Sequence, residues 1–286
     1  MERSDSLEIK LARLRAFIAQ YSSVIVAFSG GADSAFVLAV CRQVLGKDRT
    51  LAVTGISASL ASTERMMAES FAQTVDALHL LLPTDEMQDD RYTANPTNRC
   101  FFCKTELYGK LALMKSQRGF AAIFDGTNAD DLSDFRPGRT AAAQHGILSP
   151  LAACGWTKQE IREASKRLNL NTWDKPAAPC LSSRIPHGMQ VTAEKLLQIE
   201  RAERVLHGLG FAVCRVRHHG LIARVEVALE NLPRLLSQPT HAIVERELRA
   251  IGFHFVEIER RGFVSGGLKS FVASSVAAPT LAEPTP

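Results

Sequence analysis

A short apolar segment that runs into a glycine-containing loop and then into a helix is the feature that most limits the fold of this chain. Residues 24–28, Val-Ile-Val-Ala-Phe, are typical of a strand buried on both faces of a parallel sheet. The loop at residues 29–34, Ser-Gly-Gly-Ala-Asp-Ser, follows directly, and residues 34–45 are predicted to be helical. Glycines allow a tight turn, and the N–H groups at a helix start bind anions. The arrangement therefore predicts a phosphate-binding loop.

Strands and helices continue to alternate after this loop. The further predicted strands are residues 51–56, 78–82 and 121–124, and the further predicted helices are residues 5–21, 62–76, 100–116 and 157–168. This order predicts an α/β fold with a doubly wound, mostly parallel sheet. Ligands of such sheets bind outside the carboxyl ends of the strands. The loops at those ends are residues 29–34, 57–61, 83–99 and 126–131.

The pattern changes near residue 175. Residues 175–179, Lys-Pro-Ala-Ala-Pro, indicate a linker, because proline lacks an N–H group and restricts the residue before it. A helix, two paired strands, further helices and a last strand are predicted beyond it, at residues 192–208, 211–218, 221–228, up to 251, and 253–259. We therefore predict a main domain over residues 1–175, a smaller C-terminal α+β domain over residues 176–270, and a disordered tail over residues 271–286.

Composition limits the function classes. The chain has 286 residues, 46% of them hydrophobic, and a formal net charge of +4. No apolar run reaches the roughly 20 residues needed to span a membrane, and the N-terminus lacks the pattern of a secretory signal. The small net charge argues against a nucleic-acid partner. We expect a cytoplasmic protein with a small-molecule substrate and no membrane partner.

Polar side chains are concentrated in the loops at the predicted sheet edge. The hydroxyls of Ser29 and Ser34 can donate hydrogen bonds to phosphate, next to Gly30 and Gly31. Residues 125–131, Asp-Gly-Thr-Asn-Ala-Asp-Asp, follow the fourth strand. Gly126 permits a close backbone approach, and we predict that Gly126, Thr127, Asn128 and the carboxylates of this segment contact the nucleotide or magnesium. An ordinary turn with helix caps is the alternative for this segment.

The chain has six cysteines, of which three are candidates for chemistry. Cys100 and Cys103 are spaced so that both thiols can face one ligand, which suits a redox pair or a metal half-site, although the spacing also arises by chance. Cys180 lies in a polar, proline-bound loop, where Arg184 would favour the reactive thiolate; an inert loop thiol is the alternative. The other three are interpreted as structural: Cys41, Cys154 and Cys214.

Arginines alternate along the first strand of the C-terminal domain. Arg215 and Arg217 share one face of this predicted strand, and two guanidinium groups suit a phosphate or carboxylate ligand. Arg224 on the next strand is expected on the same face, and Glu203 on the preceding helix is a candidate to orient the arginines. A solvated, charged strand face with surface salt bridges is the alternative.

The loop at residues 29–34 resembles the PP-loop of the ATP pyrophosphatase superfamily, which has a HUP-like fold. The resemblance implies that ATP is cleaved between its α and β phosphates and that pyrophosphate is bound by this loop. It also implies a role for Asp33 near Mg²⁺ and the phosphates, and an adenosine contact for Ser57.

Further segments resemble one family within this superfamily, the LarE family of ATP-dependent sulfur transferases that build the nickel-pincer nucleotide cofactor. The segments are residues 98–104, 125–131, 173–188 and 215–227, in addition to the loop. The resemblance implies that ATP adenylylates a carboxylate of a pyridinium dicarboxylate mononucleotide, that sulfur from Cys180 displaces AMP, and that a thiocarboxylate results. It implies that Arg215 and Arg217 bind the substrate phosphate, and it suggests a homo-oligomer.

Members of this family obtain sulfur in two ways. In one, a single cysteine gives up its own sulfur. In the other, three cysteines bind a [4Fe-4S] cluster, and Cys100, Cys103 and Cys180 match that pattern. A zinc site with Cys154 or a histidine as fourth ligand is an alternative. A tRNA thiolase with an iron–sulfur cluster and a non-enzymatic nucleotide or metal sensor are the alternative functions.

Overall fold

The computed structural model describes residues 2–133 and 137–263. These residues form two compact units. The first contains the chain through Cys180 together with His187–Ala193, and the second contains Leu181–Pro186 and the chain from Glu194 onward.

The first unit is built on a parallel sheet of four strands. The strands are β1 (Val24–Ala27), β2 (Thr50–Ile56), β3 (Leu78–Pro83) and β4 (Ala122–Phe124), in the spatial order β3-β2-β1-β4. The helices are α1 (Glu2–Ile18), α2 (Ala32–Leu45), α3 (Ser62–Thr74), α4 (Asp90–Thr93), α5 (Arg99–Arg118), α6 (Pro137–Gln144), α7 (Pro150–Ala153) and α8 (Lys158–Arg167). The central position of β1 places the loop that follows it in the middle of the carboxyl edge of the sheet.

Both faces of the sheet are covered, and β1 shows how. Val24 and Val26 belong to an apolar cluster that includes residues of α1, α2, α3 and α8. Ile25 and Ala27, on the opposite face of the strand, belong to a second cluster that includes residues of α5 and α6. Alternate residues of one strand therefore contribute to two cores, as expected for a strand covered on both sides. The predicted α/β fold with a parallel sheet is confirmed.

The second unit has its own sheet and core. After the 3₁₀ turn Leu181–Arg184, its elements are α9 (Ala193–Gly208), β5 (Cys214–His219), β6 (Ile222–Val227), α10 (Leu232–Leu236), α11 (Thr240–Ile251) and β7 (Phe255–Ile258). Strands β5 and β6 are antiparallel, and β6 and β7 are parallel. Buried apolar residues alternate along β5 and β6 and pack with residues of α9 and α11. This confirms a smaller C-terminal α+β region.

The structure differs from the sequence-based expectation in detail. The polar stretch at residues 83–99 contains a 3₁₀ turn, Glu86–Gln88, and the short helix α4, and α6 and α7 were not expected. The predicted boundary between residues 175 and 176 precedes the first division seen in the structure, which follows Cys180. The predicted tail lies outside the described residues. None of the described helices has the length and apolar character needed to cross a membrane.

Candidate active site

The loop between β1 and α2 is held by its two serines. The Ser29 amide donates to Ser34 Oγ at 3.3 Å, and Ser34 Oγ donates to the Gly31 carbonyl at 3.1 Å. The Gly31 amide donates to Ser29 Oγ over a long 3.4 Å. Gly31 is the N-cap residue of α2 and has no side chain to cap the helix. The first turn of α2 therefore presents backbone N–H groups and the positive end of the helix dipole to an anion.

Gly126 brings the loop after β4 against the start of α2. A Cβ atom at this position would lie 2.7 Å from the Ser34 nitrogen and 3.0 Å from its Cα. Such a distance is shorter than any van der Waals contact, so only glycine fits without a shift of the backbone. Gly126 therefore allows a close approach to the backbone of the phosphate-binding loop, and its predicted contact with the nucleotide stays a prediction.

The side chain of Asp33 contacts the loop that follows β4. Asn128 Nδ2 donates to Asp33 Oδ2 at 3.2 Å. Burial raises the pKa of Asp33, and the neighbouring Asp131 raises it further, whereas Lys158 lowers it. Asp33 and the neighbouring Asp131 bring two carboxylate groups together at a partly buried position, which suits a cation with hard oxygen ligands. These residues therefore fit Mg²⁺ by the chemistry of their donors.

Thr127 takes part in the turn rather than projecting from it. Its backbone amide donates to Asp125 Oδ1 at 3.0 Å, and its hydroxyl donates to Asp125 Oδ2 at 2.7 Å. Ser149 Oγ donates to the same carboxylate at 2.7 Å. Asp125 thus fixes the shape of the loop that carries Gly126 and Asn128. The Thr127 hydroxyl is engaged in this turn, which is the alternative interpretation of that residue.

Ser57 is engaged with a buried glutamate that the sequence did not single out. Ser57 Oγ donates to Glu86 Oε1 at 2.5 Å, and Ser59 Oγ donates to the same oxygen at 3.2 Å. Glu86 is only 3% exposed, and its Oε2 atom has no hydrogen-bond partner in the part of the chain that the structure describes. Both Ser57 and Glu86 follow strands at the carboxyl edge of the sheet. That edge position was the signal by which Glu86 could have been found.

The three candidate cysteines are electrostatic neighbours within the first unit. Cys100 and Cys103 lie in the first turn of α5, and Cys180 interacts electrostatically with both. Burial raises the pKa of the Cys103 thiol to about 12, and Glu86 and Cys180 add to this effect. Burial of the thiol also raises the pKa of Cys100, which Arg99 opposes. No three His, Cys, Asp or Glu side chains among the described residues are grouped to hold a metal ion.

The remaining cysteines have structural positions. Cys41 and Cys214 are buried in the apolar cores of the first and second units. Cys154 is partly buried and packs against the core of the first unit. These positions agree with the interpretation of all three as structural residues.

Lys175 is a second residue that sequence reasoning passed over. It was assigned to a linker, yet only 8% of the residue is exposed. Its Nζ atom donates to the Gly30 carbonyl at 2.9 Å and to Glu64 Oε2 at 2.8 Å. A lysine in the segment that leads to Cys180 therefore contacts the backbone of the phosphate-binding loop.

In the second unit, Glu203 pairs with Arg184. Arg184 Nε donates to Glu203 Oε1 at 2.9 Å, and its Nη2 atom donates to Oε2 at 3.0 Å. Glu203 Oε1 also accepts the Val216 amide at 3.0 Å. The two side chains are 5% and 9% exposed. This bidentate pair ties the 3₁₀ turn Leu181–Arg184 to α9 and β5, so the contacts of Glu203 are those of a residue that positions Arg184.

Arg215 and Arg217 share one face of β5, as predicted, and this face is the one opposite the core. Arg217 Nε donates to Glu226 Oε1 at 2.8 Å, and its Nη1 atom donates to the Ser183 carbonyl at 3.0 Å. Burial lowers the pKa of Arg215, and the positive charges of Arg184 and Arg217 lower it further. Arg184 and Arg217 are each paired with a glutamate, but the charge of both still acts on Arg215, so the position of Arg215 favours an anion.

The parallel sheet, the loop after its central strand and the acidic groups beside that loop define a PP-loop nucleotide-binding protein. The model of the NAD synthase family matches residues 10–90, which contain the loop. Proteins of this class use ATP and Mg²⁺, as the sequence predicts.

Three relatives match over most of the chain. An uncharacterized protein of Synechocystis sp. is 41% identical over 92% of this chain and 97% of its own length. The pyridinium-3,5-bisthiocarboxylic acid mononucleotide synthase of Lactiplantibacillus plantarum is 34% identical over 91% of this chain and 94% of its own length. An uncharacterized protein of Methanocaldococcus jannaschii is 27% identical over 80% of this chain and 86% of its own length. The chain therefore belongs to the LarE family of PP-loop enzymes.

Proposed function

We propose that this enzyme adenylylates a carboxylate of pyridinium-3,5-biscarboxylic acid mononucleotide and replaces the activated oxygen with sulfur, in nickel-pincer cofactor synthesis. The name of the Lactiplantibacillus plantarum relative supports the substrate. The observation that carries the proposal is the position of three mutually interacting thiols in the same unit as the ATP loop. A thiol site of this kind is what a PP-loop enzyme needs in order to pass sulfur to an acyl adenylate.

The first step forms the adenylate. A carboxylate oxygen of the substrate attacks the α-phosphorus of ATP, the bond to the β-phosphate oxygen breaks, and pyrophosphate leaves. The N–H groups of the loop and of the first turn of α2 bind the leaving pyrophosphate. Asp33 and Asp131 would hold Mg²⁺, which offsets the charge that develops on the leaving group.

The second step transfers sulfur. Sulfide attacks the carbonyl carbon of the acyl adenylate as HS⁻, and AMP leaves with the electron pair of the broken C–O bond. Loss of the proton on sulfur then leaves a thiocarboxylate. In the second unit, Arg184, Arg215 and Arg217 are proposed to bind the phosphate of the mononucleotide. Glu203 and Glu226 position Arg184 and Arg217 for this contact.

We propose that Cys100, Cys103 and Cys180 are the ligands of a [4Fe-4S] cluster. Thiolates are the ligands that such clusters use, and three of them leave one iron open, which would supply the site for a transferable sulfide. Each thiolate of a cluster binds a different iron, so the three side chains need not converge on one ion. The electrostatic interaction among the three thiols supports this donor set.

The proposed reaction is tested with anaerobically reconstituted protein, ATP, Mg²⁺, sulfide and the dicarboxylate mononucleotide, by measuring AMP and the mass of the product. We expect AMP formation that depends on the mononucleotide and a product in which sulfur replaces oxygen. The Asp33→Asn variant is the control and should form neither. AMP formation that requires tRNA would identify the tRNA thiolase instead, and no turnover with either substrate would contradict both proposals.

The cluster is tested separately by anaerobic reconstitution. We expect iron–sulfur absorption and about four irons per chain, both lost in the Cys100→Ser and Cys103→Ser variants. The Cys154→Ser variant is the matched control and should retain the cluster, because Cys154 is not one of the proposed ligands. Fully active, iron-free protein that loses the mass of one H₂S during turnover would instead show that Cys180 donates its own sulfur. Assembly into a homo-oligomer and a cytoplasmic location stay predictions.

A further inference from the structure

Lys175 contacts the backbone of the phosphate-binding loop, and this contact can set the direction of the N–H groups of the loop. We propose that Lys175 is a positioning residue for ATP cleavage, which fixes the Gly30–Gly31 peptide so that the Gly31 N–H faces the pyrophosphate. This inference rests on the proposed function in that it takes the pyrophosphate of ATP as the ligand of the loop.

Lys175 is a buried, positively charged residue whose side-chain and backbone contacts are both defined. Its Nζ atom donates to the Gly30 carbonyl at 2.9 Å and to Glu64 Oε2 at 2.8 Å, and the lysine side chain is only 7% exposed. The Lys175 carbonyl accepts Arg162 Nη2 at 2.9 Å, so both the backbone and the side-chain end of this residue are fixed. A buried ammonium is costly unless it is paired, and Glu64 provides the opposite charge.

Because the peptide bond is planar, the contact at the Gly30 carbonyl also fixes the direction of the Gly31 N–H group. In a trans peptide the carbonyl of one residue and the N–H of the next point in opposite directions. A Gly30 carbonyl that is directed at Lys175 therefore directs the Gly31 N–H to the other side of the loop. There it donates to Ser29 Oγ at 3.4 Å, a long bond that a phosphate oxygen can replace.

Gly30 has two further properties that make the lysine necessary. Its φ angle is +75°, a conformation that only glycine adopts readily, and a glycine peptide can also rotate easily. A Cβ at Gly30 would lie 3.1 Å from Ala68 Cβ, so α3 limits where the loop can move but does not fix the direction of its carbonyl. The hydrogen bond from Lys175 supplies that direction.

This role differs from that of a lysine which contacts phosphate directly, as in a Walker A loop. The Lys175 Nζ atom acts on the anion through the Gly30 carbonyl and is paired with Glu64. The loss of Lys175 should therefore weaken ligands that contain the pyrophosphate group and leave AMP unaffected, because AMP does not occupy the site of the leaving pyrophosphate.

The test measures binding to the full-length protein by calorimetry, with Mg²⁺-pyrophosphate, Mg²⁺-α,β-methylene-ATP and AMP as ligands. In Lys175→Met we expect pyrophosphate and the ATP analogue to bind about tenfold more weakly or worse, with AMP within about twofold of the wild type. Lys175→Arg should recover part of the lost affinity, because it can still donate to the Gly30 carbonyl. Lys47→Met, at an exposed lysine outside the loop, is the matched control and should bind all three ligands normally.

Two outcomes would overturn the inference. Wild-type affinity for pyrophosphate in Lys175→Met would show that the loop needs no support from the lysine. Equal weakening of AMP and pyrophosphate, with a lower Tm, would show that Lys175 serves only folding. Since the readout is binding, it remains valid if the wild-type enzyme makes no thiocarboxylate, so failure of the proposed function would be recognised separately.

Discussion

At the scale of single residues, Gly126 gives the sharpest steric prediction. We expect Gly126→Ala to lower the free energy of unfolding by about 1–3 kcal/mol and to reduce ATP–pyrophosphate exchange, because the new methyl group would lie 2.7 Å from the Ser34 nitrogen and push the two loops apart. Urea unfolding and the exchange assay measure the two effects.

The control for Gly126 is a glycine with free space. Gly109 lies within α5, and a Cβ there would meet its nearest neighbour, His145 Cε1, at an ordinary 3.7 Å. Gly109→Ala should therefore leave exchange unchanged and raise stability by roughly 0.5–1 kcal/mol, since alanine costs less backbone entropy in a helix. Equal behaviour of the two variants would show that the contact at Gly126 is unimportant.

Asp33 leads to a prediction about pH. Burial and the neighbouring Asp131 raise its pKa in the folded state above the unfolded value. The folded protein therefore binds more protons between these two pKa values, and its stability falls as pH rises from the unfolded pKa through the folded one. Asp33→Asn removes this loss, so in the absence of ligand the variant should melt at a higher temperature than the wild type at neutral pH.

The size of this effect and its reversal can both be measured. A gain of 1 kcal/mol corresponds to a rise in Tm of about 2–4 °C for a domain of this size. With Mg²⁺-ATP the order should invert, because the wild type gains ligand-binding energy that the variant lacks. Asp48→Asn, at an exposed aspartate after α2, is the control. A lower Tm for Asp33→Asn than for the wild type without ligand would contradict the prediction.

Some residues of the site can be recognised from the sequence alone, and others cannot. The glycines and short polar residues at residues 29–34 and 125–131 are visible because special backbone conformations and strand ends select particular residue types. Lys175 is not visible, because its partner Gly30 lies 145 positions away in the chain. Glu86 follows a strand at the carboxyl edge of the sheet, but its burial is not visible, because an acidic residue in a polar stretch has no local pattern that indicates burial.

At the scale of elements, the start of α8 couples stability to the site. Thr157 and Glu160 form a capping box: the Glu160 amide donates to Thr157 Oγ1 at 3.3 Å, and the Thr157 amide donates to Glu160 Oε2 at 2.9 Å. Lys158, which follows Thr157, donates its backbone amide to Asp130 Oδ2 at 2.8 Å. Its Nζ atom forms an ion pair with Asp131 Oδ1 at 3.0 Å. The first turn of α8 thus holds the acidic end of the loop after β4.

Removal of this cap should therefore affect stability first and the nucleotide site second. We expect Thr157→Ala to cost about 1 kcal/mol in urea unfolding and to weaken Mg²⁺-ATP binding modestly. The control is Thr74→Ala, since the Thr74 hydroxyl only donates to the Ser70 carbonyl on the exposed end of α3. That change should stay within roughly 0.5 kcal/mol of the wild type, and an equal cost for the two threonines would refute the coupling.

The elements that the sequence predicted are those with a strong local pattern. Buried parallel strands such as β1 are continuous apolar runs, and α8 has a capping box, so both are recognisable from a few neighbouring residues. The helices α6 and α7 were missed because they are short and lack a long apolar period. Their stability comes from tertiary packing: Ala141 and Ala142 of α6 lie in the same apolar cluster as residues of α5.

At the scale of the whole molecule, the chain enters the second unit at Leu181, returns to the first unit for His187–Ala193, and enters the second unit again at Glu194. A fragment that begins at residue 194 therefore lacks part of its own unit. It lacks Leu181 and Ile185, which are 2% and 0% exposed, and it lacks Arg184, the partner of Glu203. A boundary at residue 176, as predicted from the prolines, keeps all three.

We therefore expect the fragment of residues 176–270 to be more stable than the fragment of residues 194–270, by on the order of 3 kcal/mol in urea unfolding followed by circular dichroism. Lost apolar burial and an uncompensated Glu203 carboxylate both contribute. The variant Glu203→Leu separates these two contributions. In the short fragment it should raise stability, because it removes a carboxylate that Arg184 no longer pairs. In the long fragment it should lower stability, because it leaves Arg184 without that partner. Equal stability of the two fragments would mean that Leu181–Pro186 contributes nothing to the second unit. If Glu203→Leu changed the free energy of unfolding in the same direction in both fragments, the ion pair with Arg184 would not be what stabilises this segment.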